Sequence, residues 1–407
     1  MRLSNSHHHK QLSPSQKSCQ EVERYKVIRQ ASQQVYESIG KACTKHKEHQ
    51  AHFCVEAKQV ENGGENCFQI RFNMAYTQRP GAPNQSELIW FVVGSTSGYI
   101  EKQGSSVLNT LSKDSIENSL KRQPDSMACT VQKKIRKSVR FQSPVRIPSY
   151  TPPIPSVAMA SVYERIQKDF CDHLRRLRDR PQASECVGVL GNSANCKNLV
   201  YTYPIEQCHS HRQPFTLEQL ISTGGQVRSN GRILLEDRVR LAKTLAVAVL
   251  QYYSTPWLKK SWRSEDIYFF TSSLTLPHLN VRVKGPCDQL SQAPMTPPHS
   301  LARNPLLFSL AVVLLEIAYK SKLDNLQSPV DLVDGPGYTE FFVARRLATS
   351  AETDMPGKYH KIVERLIECD FACGSDMEDP KLQAAFHNDV ICPLEELEQG
   401  LHRLYLD

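Results

Sequence analysis

Residues 304–319, NPLLFSLAVVLLEIAY, decide how the rest of this chain is read. Asn304 can cap a helix start, and Pro305 suits the first turn, where its missing N–H leaves no partner unsatisfied. The run from Pro305 to Tyr319 is apolar on every side. That pattern marks a helix enclosed by neighbours, not one lying on a surface. It falls short of the ~20 residues a bilayer requires, and it carries Ser309 and Glu316. A buried core helix is therefore expected, and no membrane span.

Such a helix needs a shell, and its flanks provide one. Residues 235–253 place Leu235, Val239, Ala242, Ala246, Val249 and Tyr253 on one helical face, widened by Leu241, Leu245 and Tyr252. Short strands are expected at Ile267–Phe270 and Val281–Val283. Amphipathic helices are expected at 359–371 and 381–405, the last broken at Cys392-Pro393. The first half reads differently. Val22, Tyr25, Ile28, Ser32, Val35 and Ile39 recur at helical spacing within 21–50. Three runs rich in Phe, Val, Ile, Tyr and Trp follow, His52–Val60, Cys67–Tyr76 and Glu87–Gly94, parted by turn residues. They predict an antiparallel meander. A helix at about 160–178 and strands at Cys186–Leu190 and Asn198–Tyr203 are expected to complete this part.

Residues 100–158 are rich in Ser, Lys, Gln and Pro and show no sustained periodicity, so they are read as a disordered insertion. Residues 1–20 are polar, lack the apolar segment of a secretory signal, and are read as a disordered N-terminus. The expected organisation is a β-bearing N-lobe in two parts, 21–99 and 159–222, split by the insertion and followed by a helical C-lobe at 223–407. The fold class expected is α+β.

Composition bounds function. The 407 residues, 40% of them hydrophobic, can build real cores. The net charge of +8 is local: residues 121–146 hold eight basic residues against Asp125 alone, a net +7. Basic charge confined to one segment argues against a nucleic-acid-binding face. Thirteen cysteines, an odd number at irregular spacings, suit reduced thiols in cytoplasm or nucleus better than a disulfide framework.

The derived order is three strands, a helix, two strands, a long helix, a strand-bearing loop, an all-apolar helix and closing helices, and it resembles a protein kinase. RVRLAKTLAVAVLQYYSTPWL (238–258) is similar to the helix before a kinase catalytic loop, DIYFF (266–270) to the strand after it, and NPLLFSLAVVLLEIAYKSKL (304–323) to the central helix of the kinase C-lobe. CTKHKEHQAHF (43–53), STPWLKKSWRSEDIYFF (254–270) and PLEELEQGL (393–401) further resemble an uncharacterised fungal family, members of which occur beside cell-death and prion-type domains. The resemblance implies a protein-kinase-like fold, with a small antiparallel β N-lobe and a mainly helical C-lobe.

Phosphoryl transfer needs a Gly-rich loop, a lysine on the third strand, a catalytic Asp with an Asn five residues on, and a metal-binding Asp. The first hairpin offers Val60-Glu61-Asn62-Gly63-Gly64-Glu65, without the required glycine spacing, and the run Glu87–Val93 has no lysine. Aligning Asp266 with the kinase Asn puts Ser261 at the catalytic base, and the metal-binding triplet falls on Gly285-Pro286-Cys287. Asp266 and Asp288 remain as carboxylates that could touch a nucleotide's metal. With four motifs absent, the expected function is a non-catalytic pseudokinase-like scaffold or regulatory protein-binding module without a cofactor. The alternative is a divergent nucleotide-using transferase.

Two further patterns carry chemistry. Cys43, His46, His49, His52 and Cys54 have the residue types of a zinc site, with Cys43, His46, His49 and Cys54 as its ligand candidates. The expected reading is nevertheless a Lys/His-rich helix end packed by Cys43 and Phe53, without a metal, and the zinc site is the alternative. Lys137-Ser138-Val139-Arg140-Phe141 resembles the basic-x-Val-x-Phe motif through which regulators dock on the type 1 protein phosphatase. In an extended segment Val139 and Phe141 share one side and can enter two apolar pockets, with Lys137 steering toward acidic surface. A basic solvated linker, or a weak nuclear-import signal around Lys133 to Lys137, is the plainer reading; the docking alternative requires that a peptide covering 130–148 bind the phosphatase catalytic subunit and that the Val139→Ala/Phe141→Ala double variant not bind it. Equal binding by both peptides in a titration would remove the motif.

Overall fold

The computed structural model describes residues 14–43, 46, 48–61, 68–77, 88–97, 170–178, 186–193, 196–203, 214–223, 226–227, 231–271, 274–284, 301–332, 338–350 and 353–404. The expected insertion at 100–158, with Lys137, Val139 and Phe141, lies outside them, as do Asp288 and the first part of the helix expected at 160–178.

Helix α1 (Pro14–Ala42) leads into β1 (Glu48–Glu61), β2 (Phe68–Thr77) and β3 (Ile89–Ser97). Then come α2 (Phe170–Arg178), β4 (Cys186–Ser193), β5 (Cys196–Thr202), β6 (Phe215–Thr216), α3 (Leu217–Ser222), and a small hairpin of β7 (Gln226–Val227) and β8 (Gly231–Arg232). The second half contains α4 (Leu235–Tyr252), β9 (Ile267–Phe269), β10 (His278–Lys284), α5 (Pro305–Tyr319), α6 (Tyr338–Thr349), α7 (Gly357–Glu368), α8 (Pro380–Phe386) and α9 (Cys392–Leu404). The protein is thus a mixed α/β molecule with an antiparallel sheet and a helical second half.

The meander β1–β2–β3 forms as its alternating apolar residues dictate. The sheet does not stop there. It runs β4-β5-β3-β2-β1-β10-β9-β6, eight strands with every pairing antiparallel. The expected sheet confined to the N-terminal part is corrected by this ladder. Residues 48–54 of β1 pair with β10, and β1 also pairs along its length with β2. The helix read over 21–50 likewise ends at Ala42 and starts earlier, at Pro14. Residues 48–50 hydrogen-bond to β10 instead of prolonging it.

A bulge shifts the β1–β2 register between Phe53 and Ala57. The groups it frees from the ladder are used: Val55 N donates to Pro277 O at 3.1 Å, and the Tyr252 hydroxyl donates to Val55 O at 2.9 Å. Beside it Phe53 stacks on Trp257 with centroids 4.2 Å apart, and Trp257 Nε1 donates to Ser32 O of α1 at 2.8 Å. Sheet, α1 and the end of α4 therefore meet at one junction, inside a core that continues without interruption into the helical half.

At the centre of that core is α5. Every residue from Leu306 to Ala318 is buried. Asn304 caps it as expected, its side-chain oxygen accepting from Leu306 N and Leu307 N at 3.0 Å each while its Nδ2 donates to Ser375 O at 2.8 Å. Lys320 ends it in the left-handed conformation, φ 54°. The buried Arg238 of α4 grips both oxygens of Asp354 at 2.7 and 2.6 Å and reaches Ala318 O at 3.3 Å, which pins α4 to the end of α5. That guanidinium holds the Asp354 carboxyl down at about 2. The break expected at Cys392-Pro393 is instead a π-helical turn at His387–Ile391, after which Pro393 sits in the first turn of α9.

Leu310, wholly buried at the middle of α5, tests this arrangement. Leu310→Asp encloses an unpaired carboxylate, a cost above about 4 kcal/mol, and is expected to abolish soluble expression. Val330→Asp, at a side chain 79% exposed, is expected to shift stability by no more than about 0.5 kcal/mol. Normal melting of Leu310→Asp would place α5 at the periphery.

Candidate functional site

The polar residues of α5 lead to the first site. Ser309 accepts a hydrogen bond from Arg263 Nη1 at 3.0 Å and donates to Lys260 O at 3.4 Å, and Glu316 accepts from Leu323 N at 3.2 Å. Burial pushes the Glu316 carboxyl above its ordinary range, against hydrogen bonds from Ser264 and Leu323. These two residues thus clamp the loop that carries Ser261 and Asp266. Asp266 closes a 3-10 turn, Ser264–Asp266. Its carboxylate accepts from Lys259 Nζ at 2.7 Å and from Arg263 N at 3.1 Å. Arg263 in turn forms an ion pair with Glu340 of α6 at 2.8 Å. Ser261 is exposed. Beside the turn opens a cleft whose walls include Glu218, Glu316, Asp324 and Glu340 against Arg263 and Lys322, with Lys322 paired to Glu218. The cleft is acidic, a poor setting for a polyphosphate.

The second site lies at the corner where α1 passes into β1. Cys43 follows directly on α1, His46 lies in the connection, and His49 is the second residue of β1. Cys171 comes from α2, on the face that also buries Phe170 and Leu174. Cys43 Sγ is 3.2 Å from His46 Nδ1, and Cys171 Sγ is 3.3 Å from His49 Nε2. The His46 and His49 rings meet edge to face with centroids 5.0 Å apart, and His49 packs on Tyr76 at 4.5 Å. Cys43, His49 and Cys171 are buried, and His46 is half-buried. Burial pushes the His49 imidazole down to about 4, helped by His46, and pushes the Cys171 thiol up, helped by Cys43.

Three of the four residues that sequence spacing proposed as ligands, Cys43, His46 and His49, therefore come together, and Cys54 does not. Strand alternation is the reason: five positions apart in a regular stretch of β1, His49 and Cys54 face opposite sides of the sheet. Cys171 takes the fourth place. Its distance from His49, 122 residues, hid it from any local motif.

His52 shares the opposite face, against the rings of Tyr268 and Phe270 at 4.9 and 5.1 Å. Trp90 and His278 extend this aromatic layer around Phe270. Cys369 is buried, and its thiol donates to Gly374 O at 3.9 Å. Among the described residues no helix is long and apolar enough to cross a membrane.

Fold and sites define a mixed α/β protein with a polar turn at the heart of its helical half and a His/Cys cluster at the α1–β1 corner. Residues 148–399 match the family described as a domain of unknown function (DUF7580), more than half of the chain, and the protein belongs to that family. The match begins downstream of β3, so Cys171 lies inside it and Cys43, His46 and His49 outside. No curated protein matches. Among solved structures the chain is similar to the PAN3 pseudokinase of Drosophila melanogaster, at 11% identity over 86% of this chain and 71% of that one, with a TM-score of 0.25.

His52 gives a pH test. Neither ring nitrogen has a hydrogen-bond partner among the described residues, the residue is wholly buried, and burial pushes the imidazole from 6.5 down to about 4. Between those values the unfolded chain binds the proton and the folded chain does not. The contribution of neutral His52 is thus complete above pH 6.5 and is lost as pH falls toward 4. His52→Phe is expected to make the fall in melting temperature between pH 7 and 4.5 shallower than in the wild type. Parallel curves would assign the acid sensitivity elsewhere.

Proposed function

We propose that the protein is a non-catalytic, pseudokinase-like scaffold or regulatory module that acts by binding other proteins. The observation that carries this reading is the commitment of Asp266. The carboxylate at the place of a kinase's metal-binding Asn is bound to Lys259 and to the backbone of its own turn, and the turn is locked through Arg263 to α5 and α6. Metal coordination would have to break those bonds. Ser261, at the place of the catalytic base, carries a hydroxyl that does not accept a proton at neutral pH. A further support is the β1–β10 ladder, which joins the two halves of the chain in one hydrogen-bonded sheet. The element order, from the three-stranded meander through α4 to the buried α5, supports the protein-kinase-like description of the fold. The sequence resemblance to a fungal family found beside cell-death and prion-type domains extends the reading to a role in such signalling.

Melting the full chain with and without magnesium and ATP tests it. A nucleotide at 100 times its dissociation constant would add about 2.7 kcal/mol of stability. No shift at millimolar nucleotide is the expected result. A clear upward shift in the wild type that vanishes in Asp266→Ala, each measured against its own nucleotide-free curve, would overturn it in favour of a divergent nucleotide-using transferase.

A further inference from the structure

We propose that Cys43, His46, His49 and Cys171 bind one zinc ion in a closed, structural Cys2His2 site. This stands apart from the scaffold reading, since it involves neither the Asp266 turn nor the acidic cleft.

The argument begins with the donor atoms. One nitrogen or sulfur from each of the four residues lies within 4.8 Å of every other. Zn–S bonds of ~2.3 Å and Zn–N bonds of ~2.0–2.1 Å around a tetrahedral centre put neighbouring donors about 3.3–3.8 Å apart. The pairs Cys43–His46 and Cys171–His49, at 3.2 and 3.3 Å, already stand at that spacing. The remaining donors need to close by no more than about 1–1.5 Å. Two thiols and two imidazoles around one point are the ligand set zinc prefers, whereas magnesium and calcium require oxygen donors that this corner does not offer.

Electrostatics agrees. Two thiolates cancel the charge of Zn2+, so a neutral unit is buried where a bare thiolate would be costly. Four protein ligands leave no open position for a water, which makes the site structural rather than hydrolytic. His46, the half-buried member, leaves an approach for the ion.

An independent observation comes from Tyr76. Its hydroxyl is buried without a hydrogen-bond partner among the described residues, and its ring lies against His49. A metal-bound thiolate is the acceptor this O–H lacks, and outer donors of this kind tune and orient metal ligands.

The zinc would act as a staple. Cys43, His46 and His49 fix the corner between α1 and β1, and Cys171 holds α2 onto it from 122 residues beyond His49. Binding to this folded arrangement and not to the open chain adds its free energy to folding.

The test uses the full chain, produced without a metal-binding tag, with zinc measured by elemental analysis after dialysis. About one equivalent per chain is expected for the wild type and for Cys54→Ser, and at least a fivefold loss for Cys171→Ser. Cys171→His, which keeps a donor at that position, is expected to retain the metal. Cobalt reconstitution of the wild type gives a readout free of any folding defect: a tetrahedral visible spectrum with a thiolate-to-cobalt charge-transfer band. Wild-type zinc below about a tenth of an equivalent with no such band would overturn the proposal. So would equal zinc in wild type and Cys171→Ser, equal losses in Cys54→Ser and Cys171→Ser, or a Cys43–Cys171 disulfide in the protein as purified under non-reducing conditions.

Discussion

The burial of α5 on all sides is the constraint from which the rest of the helical half follows. A surface helix needs one partner, whereas this one needs a neighbour in every direction. Its two polar side chains cannot turn to solvent and must find partners inside. Ser309 finds them at Arg263 and the Lys260 carbonyl, and one Glu316 oxygen at Leu323 N, so hydrogen bonding inside the core ties the Lys260–Arg263 loop to α5. Arg238 does the same at the other end, where its two terminal nitrogens are bound by the Ala318 carbonyl and Asp354. The geometry of the Asp266 turn is thus set by packing of the core.

The same logic separates the two sites. At the Asp266 turn the half-buried charges face one another within the chain: Lys259 with Asp266, and Arg263 with Glu340 and Ser309. Charges that neutralise one another shape a surface but leave little for a ligand to gain. At the α1–β1 corner two thiols and two imidazoles converge with no opposite charge among them. Their short contacts are weak hydrogen bonds, so the corner retains unused ligand capacity.

How much of this is legible in sequence depends on how local the cause is. The bounds of α5, Pro305 and Tyr319, follow from a cap, a proline and an apolar run that all lie within the helix itself. The three-strand meander is legible for the same reason. The union of β10 with β1 is not, because each strand reads as an ordinary short apolar run and only tertiary contact selects the partner. Helix α6 escapes notice because Arg345 and Arg346 interrupt its stripe of Phe341, Ala344 and Leu347. Both arginines are accounted for by ion pairs, with Glu368 and Asp331. For the cluster, Cys43, His46 and His49 are visible as a set within seven positions, but the two-residue period of β1 turns Cys54 away from them. The true fourth member required the fold.

The long strand β1 also has a consequence in time. Its first seven residues are hydrogen-bonded to β10, with Gln50 opposite Arg282 and its side chain bound to Asn280, 230 positions later in the chain. On a ribosome adding roughly 5–20 residues per second, that interval takes on the order of 10–50 s. Throughout it one row of β1 amides and carbonyls, flanked by Ala51 and Phe53, has no strand to meet. The nascent chain therefore carries an open, apolar sheet edge until β10 emerges, the condition under which strands pair with the wrong partner. The pairing that holds the two halves of the molecule in a single sheet is therefore also the last of β1's pairings the growing chain can make.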